Sequence, residues 1–209
     1  MIIALESASS DPSLAIAAPD GSPIAVDGWR GEARQGSELL PHLLNLLDRA
    51  GRDLHEATAL AVGIGPGSFT GLRVSMSLAK GLSLALGVPL VGVPSLAAWL
   101  ASEPEATTAV ARAGAQEAYL LLRDEPAPRI VAAAQLPGVL AGTIAVAPTE
   151  LAEAFELADT RSPQLAAGAV ASMAAIRLDG DPRGDDLDRL EPWYVRAPRG
   201  IAPTGAEVP

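Results

Sequence analysis

The sequence contains no cysteine, and aromatic residues make up only 3% of it. The absence of cysteine excludes disulfides, thiolate zinc sites and cysteine nucleophiles together. Basic residues are few as well: 15 Lys and Arg stand against 25 Asp and Glu, for a formal net charge of −10. Because contacts with nucleic-acid phosphates need a basic surface, this chain is not expected to bind nucleic acid by itself.

Long hydrophobic segments are also missing. No apolar run reaches the roughly 20 residues of a membrane span, and the segment Met1-Ile2-Ile3-Ala4-Leu5-Glu6 lacks the basic start and long apolar stretch of a signal peptide. It is typical of a β-strand that opens a folded domain. We therefore expect a cytoplasmic protein without a membrane partner.

What the chain does have is a large apolar fraction, 49% of 209 residues, which is ample for a core. Its first half predicts three short strands and then alternating helices and strands, and its second half echoes this order. The pattern predicts two related α/β lobes with mixed sheets. The boundary is expected around Glu103-Pro104-Glu105, giving lobes at residues 1–103 and 104–209.

A glycine-rich loop lies between a predicted strand (58–64) and a predicted helix (72–86). It contains Gly65, Pro66, Gly67, Ser68, Phe69, Thr70, Gly71 and Arg73. A Walker loop would require a lysine before Ser or Thr, and the dinucleotide fingerprint would require glycine at Thr70. The sequence therefore favours a tight structural turn and helix start here over a phosphate site, and predicts no bound cofactor.

Two helices carry more apolar or small residues than one core requires. The helix predicted for residues 37–50 has two leucine rows, and the next one has a row of small residues that suits close helix approach. Either the helices are sandwiched inside their own domain, or one face of each meets a partner. The predicted partner interface comprises Leu40, Leu43, Leu44, Leu47, Gly71, Ser75, Ala79, Leu82 and Ser83.

Catalytic signatures are scarce. The two histidines, His42 and His55, have no metal-binding spacing, so no metal site and no catalytic residue is predicted. The polar run from Glu6 to Asp11 is compatible with a phosphate-holding loop or with an ordinary hairpin, and the hairpin is favoured.

The glycine loop carries a family resemblance. The run Gly65-Pro66-Gly67-Ser68-Phe69-Thr70-Gly71-Leu72-Arg73, followed by Ala79-Lys80-Gly81-Leu82, resembles the hallmark of the bacterial TsaB (YeaZ) proteins. Supporting matches in the same order are found at residues 2–9, 37–41, 111–119 and 191–196. The chain departs from the family pattern at Glu6, where Asp is usual, at Gly36, where His is usual, and in the segment 111–114.

The resemblance implies an actin-like (ASKHA) fold of two ribonuclease-H-like lobes. It also implies a non-catalytic, cytoplasmic partner of the paralogue TsaD, with TsaE and TsaC, in making threonylcarbamoyladenosine in tRNA. On this reading the chain self-associates in isolation and meets tRNA only through the complex. Two alternatives remain open at this point: an independent actin-like ATPase or small-molecule kinase, and a metallopeptidase-like enzyme.

Overall fold

The computed structural model describes residues 1–31 and 35–195. Arg196, which ends the last matching segment, and the tail from Ile201, which the sequence predicts to be frayed, lie outside the described residues. Of the described helices, none is long and apolar enough to cross a bilayer.

The first sheet has the strand order β3-β2-β1-β4-β5. Its strands are β1 (Ile2–Glu6), β2 (Ser13–Ala17), β3 (Pro23–Gly28), β4 (Ala59–Gly63) and β5 (Leu90–Val93). β1 pairs antiparallel with β2 and parallel with β4. Every residue of β1, β2 and β4 is buried because both faces of the sheet are covered, which explains why these strands are continuously apolar rather than alternating.

The second sheet repeats this topology in the order β10-β9-β6-β7-β8. Its strands are β6 (Thr108–Arg112), β7 (Glu117–Leu122), β8 (Arg129–Ala132), β9 (Ala145–Val146) and β10 (Thr160–Arg161). In both sheets an antiparallel meander of three strands is followed by two parallel strands. The predicted pair of related α/β lobes with mixed sheets is thus confirmed.

Two helices cover one face of the first sheet and a third covers the other. On one side lie α1 (Gln35–Arg49) and α2 (Phe69–Leu86), packed on a core of large aliphatic side chains. On the other side lies α6 (Ala166–Gly180), whose alanines lie against β1, β2 and β5. Such small side chains let a helix backbone approach a sheet closely.

The connection between the lobes is α3 (Ser95–Ser102), which contacts α6 and β6. Short helices α4 (Leu136–Val139) and α5 (Thr149–Ala154) complete the second lobe. After β10 the chain returns to the first lobe. Asp185 N donates to Leu90 O at 2.8 Å, and Trp193 N donates to Ile64 O at 2.7 Å. The predicted division at residue 103 is therefore corrected, because residues 166–195 pack on the first sheet.

Two predicted helix starts also differ from the structure. α1 begins at Gln35, so Ser37 lies inside the helix rather than at its cap, and Pro41 is within it. α2 begins at Phe69 instead of Leu72, because the Ser68 side chain accepts from Gly71 N and acts as the N-cap. The sequence did not predict α3. Most of its residues are buried, so it lacks the polar face that reveals a helix.

Candidate functional site

The glycine loop forms a tight turn against α3. Gly65 has φ = 96°, a conformation that favours glycine. Its N–H donates to Ser95 Oγ at 2.9 Å, and Ser95 N donates to Gly65 O at 2.8 Å. The loop is thereby fixed to the helix that leads into the second lobe.

Gly67 is required for a different reason. A Cβ at this position would overlap the carbonyl oxygen of Ala8, while its φ is not in the left-handed region. The neighbouring Ser68 N donates to the same Ala8 oxygen at 2.6 Å. Backbone strain from a positive φ is therefore not what excludes a side chain at Gly67. The cost arises from close approach of two backbones.

Glu6 lies at the end of β1, buried behind this loop. Its Oε1 accepts from Ala8 N at 2.7 Å, whereas Oε2 has no hydrogen-bond partner among the described residues. Burial raises the pKa of Glu6 to about 7, against the opposing effects of Ala8 N–H and of the nearby Ser95 and Trp99 side chains. The carboxyl is therefore protonated in a large fraction of molecules at neutral pH.

Asp11 connects the two lobes. Its Oδ2 accepts from Thr149 N at 2.7 Å, from Thr149 Oγ1 at 3.0 Å and from Ser162 Oγ at 3.0 Å. The residue is buried, so these bonds are shielded from water. An exposed ion pair between Arg30 and Glu153, at 2.9 Å, bridges the same lobes. The run 6–11, predicted as an ordinary hairpin, thus includes a link between lobes.

The predicted partner interface is divided by the structure. Six of its nine residues are buried in the chain's own first lobe: Leu43, Leu47, Gly71, Ser75, Ala79 and Ser83. The row of small residues on α2 belongs to the face that packs on the sheet, and Ala79 is 0% exposed. This row is therefore not available to a partner in the isolated folded chain. Small side chains here serve close helix–sheet packing.

Exposed apolar side chains on α1 and α2 define another surface. Leu40 is 40% exposed, Leu44 49% and Phe69 46%. Leu82 is half-buried. An open groove runs between the two helices, and we call it the α1–α2 groove; it is lined by Gly36, Leu39, Leu40, Phe69, Thr70, Arg73, Val74, Ser77 and Leu78. Phe69, Arg73 and Val74 lie outside the small-residue row, and Phe69 belongs to the helix because α2 begins three residues earlier than predicted.

The two histidines have local partners. His42 stacks on Trp29 with ring centroids 3.8 Å apart, and its Nδ1 lies 2.9 Å from Asp27 Oδ2. His55 lies 2.8 Å from Asp53 in an exposed turn. In the part of the chain that the structure describes, no three His, Asp or Glu side chains come together as metal ligands would. No described side-chain set is therefore offered as a metal or cofactor site.

Comparison with known proteins agrees with this geometry. A family model for "TsaD: tRNA N6-adenosine threonylcarbamoyltransferase" matches residues 33–126. The tRNA threonylcarbamoyladenosine biosynthesis protein TsaB of Escherichia coli is 43% identical over 58 residues, which is 28% of this chain and 25% of that protein. TsaB of Haemophilus influenzae is 37% identical over 79 residues, 34% of each chain. The matched segments thus span a quarter to a third of these relatives' lengths.

The fold is shared over most of the chain. YeaZ from Pseudomonas aeruginosa superposes with a TM-score of 0.69 and 22% identity, covering 93% of this chain and 99% of that one. The fold therefore defines a two-lobed α/β protein with the architecture of YeaZ. These matches agree with the resemblance carried by the glycine loop, and the chain is similar to the TsaB (YeaZ) proteins.

Proposed function

We propose that this protein is the non-catalytic, activating subunit of a complex that makes threonylcarbamoyladenosine in tRNA. It would act by dimerising with the TsaD paralogue, which transfers a threonylcarbamoyl group to the adenosine next to the anticodon. The curated TsaB relatives bear the name of this pathway, and the matched family model is that of the transferase. The observation that carries the proposal is the exposed α1–α2 groove on a chain similar to the TsaB proteins.

The groove has the character of a protein-binding surface. Leu40 and Phe69 line the groove with exposed apolar area, and the exposed Leu44 lies one turn after Leu40 on α1. Exposed apolar patches of this kind are typical of interaction sites, since leaving them in water costs free energy. Leu40 and Leu44 remain from the interface predicted from sequence, and Phe69 and Val74 replace the buried small-residue row.

The acidic groups support a structural role for the rest of the molecule. Glu6 is enclosed behind the glycine loop, and Asp11 is committed to hydrogen bonds between lobes. A general acid or base must reach a substrate proton, and neither group has access in this arrangement. We therefore assign catalysis to the partner.

The remaining partners follow from the same proposal. The net charge of −10 disfavours direct contact with tRNA, so tRNA would be reached through the complex in the cytoplasm. TsaE would contribute an ATPase, and TsaC or its equivalent would take part in the same synthesis. A homodimer built on the α1–α2 groove would compete with TsaD for the same surface.

Reconstitution of the modification tests the proposal. Purified chain, TsaD, TsaE and TsaC from one organism are incubated with unmodified tRNA, and threonylcarbamoyladenosine is measured by mass spectrometry of digested nucleosides. Leu40→Asp combined with Leu44→Asp should abolish both TsaD binding and modification. Leu84→Asp is the matched control, since Leu84 is on α2, 72% exposed and outside the groove.

The outcomes separate the competing functions. Modification that proceeds equally well without the chain, or with the double variant despite its correct fold, would overturn the proposal. Tight binding and turnover of ATP by the isolated chain would instead support an actin-like ATPase or kinase. A stoichiometric metal found by elemental analysis would support the metallopeptidase-like alternative.

A further inference from the structure

Arg73 is held in a fixed position at the edge of the α1–α2 groove. Its guanidinium lies over the Phe69 ring, 4.0 Å from the centroid, and its Nε donates to the Tyr194 hydroxyl at 3.1 Å. Phe69 and Tyr194 also contact each other, with ring centroids 5.8 Å apart. Stacking and one hydrogen bond therefore orient the guanidinium, and the hydrogen bond to Tyr194 uses Nε rather than the two terminal nitrogens.

This arginine differs from most others in the described part of the chain. Eight arginines form ion pairs with carboxylates: Arg30, Arg49, Arg52, Arg112, Arg129, Arg177, Arg183 and Arg189. Arg123 donates to several backbone carbonyls. Arg73 has no carboxylate partner among the described residues, although acidic residues outnumber basic ones by ten over the whole sequence. It is also the one charged side chain among the described residues lining the groove.

The contact with Tyr194 depends on the returning C-terminal segment. Asp185 Oδ2 accepts from Gly92 N at 2.6 Å, and Asp185 Oδ1 accepts from Arg177 Nη2 at 2.6 Å, which fixes this segment along the edge strand β5. Trp193 then bonds to Ile64 O and packs against the first core, so that Tyr194 follows directly beside the start of α2. The tyrosine is thus brought to the groove from 121 residues further along the chain.

We infer that Arg73 is the receptor for a carboxylate of the protein partner that docks in the α1–α2 groove, and that Tyr194 is the residue that positions it. The partner surface would be apolar, to cover Leu40 and Val74, with one Asp or Glu set among its apolar side chains. We choose a carboxylate on the partner because of charge complementarity: a lone cation in an otherwise uncharged groove favours an anionic group. The inference rests on the proposed function, because it takes the groove to be where the partner binds.

Docking would strengthen the contact. In the isolated chain Arg73 is exposed and its charge is screened by water and salt. A partner that covers the groove removes water, and a guanidinium already fixed by Phe69 and Tyr194 loses little conformational freedom on forming two parallel hydrogen bonds to a carboxylate. Loss of the Tyr194 hydroxyl should therefore weaken binding only when Arg73 is present.

The test is calorimetric titration of the full chain with purified TsaD of the same organism at about 50 and 500 mM NaCl, where screening of charges is weak and strong respectively. Arg73→Gln should weaken binding by about tenfold or more at low salt and reduce the salt dependence. Tyr194→Phe keeps the ring and should weaken binding severalfold, with no additional effect in the Arg73→Gln background. Arg161→Gln is the control, since Arg161 is exposed on β10 of the other lobe.

Each contrary result has its own meaning. Unchanged affinity and salt dependence for Arg73→Gln would overturn the inference while leaving the proposed function intact, provided Leu40→Asp with Leu44→Asp abolishes binding. Fully additive effects of the two single changes would overturn the positioning role of Tyr194. Absence of binding by the unaltered chain would overturn the proposed function and the inference together. Urea unfolding of each variant separates a lost contact from a lost fold.

Discussion

Asp11 and Thr149 join the two lobes through a single carboxylate oxygen. Asp11 Oδ2 accepts both the backbone N–H of Thr149, at 2.7 Å, and its hydroxyl, at 3.0 Å. The residues are separated by 138 positions, and Ser162 donates to the same oxygen. One buried side chain in the loop after β1 therefore fixes the start of α5 in the second lobe.

Asp11→Ala should loosen the two lobes. It leaves Thr149 N–H and the Ser162 hydroxyl without their acceptor, and an unsatisfied buried donor costs about 1–3 kcal/mol. We expect a lower free energy of unfolding in urea and faster hydrogen exchange at the Thr149 amide. Glu153→Gln, which removes only the exposed pair with Arg30, should have a much smaller effect, because exposed ion pairs contribute little to stability. Equal small effects from both changes would contradict the assignment of the link to Asp11.

Glu6 should give folding a particular pH dependence. Its pKa is raised from the usual 4.5 to about 7 by burial. Between these values the folded chain keeps a proton that the unfolded chain has released, so this group makes the free energy of unfolding fall as pH rises. The contribution is fully present below about pH 4.5 and lost above about pH 7, and the difference is on the order of 3 kcal/mol.

Glu6→Gln isolates this effect. Glutamine keeps an acceptor for Ala8 N–H and cannot ionise, so the variant should be more stable than the parent at pH 8 and similar to it near pH 4.5. The measurement is urea unfolding at both values, with Glu105→Gln as the exposed control. A variant that is equally destabilised at both pH values would show that shape, rather than charge, dominates at this position.

Gly67→Ala should destabilise the fold through steric overlap. The added methyl would collide with the carbonyl oxygen of Ala8, and forced shifts in a packed region cost about 1–3 kcal/mol. Gly81→Ala is a matched control on α2, since a Cβ there has no heavy atom within 4 Å. It should stabilise the helix by up to about 1 kcal/mol. If the two variants had similar free energies of unfolding, the close approach of Gly67 to Ala8 would not constrain the fold.

Although the sequence placed Ala79 in the predicted partner interface, Ala79→Arg should unfold the chain. Ala79 is fully buried against the first sheet, and a buried unpaired charge costs several kcal/mol. Ser77→Arg, at an exposed position lining the groove, should keep the fold and weaken TsaD binding. Circular dichroism and calorimetry check the pair. If the Ala79→Arg variant folds but no longer binds TsaD, the small-residue row would be part of the interface after all.

The local pattern of residues was enough to predict most of the strands and the glycine loop of this protein. Continuous apolar runs bounded by turn residues predicted most strands of both sheets, because strands covered on both faces need apolar residues throughout. The glycine loop carried the family resemblance from sequence alone. Gly65 in this loop has a positive φ, which favours glycine and is a local property of the turn.

Only the tertiary structure decided which helix faces remained exposed. The leucine rows of α1 and the small-residue row of α2 have the same helical spacing whether a face packs on the chain's own sheet or on a partner. The spacing therefore indicates that a face is covered but does not identify what covers it. The fold covered Leu43 and Ala79 with the chain's own sheet and left Leu40, Leu44 and Phe69 outside. The same limit hid Asp11, Glu6 and Tyr194, whose roles depend on contacts with residues far away in the sequence. Such contacts arise when the two lobes and the returning segment pack together, and no local spacing encodes them.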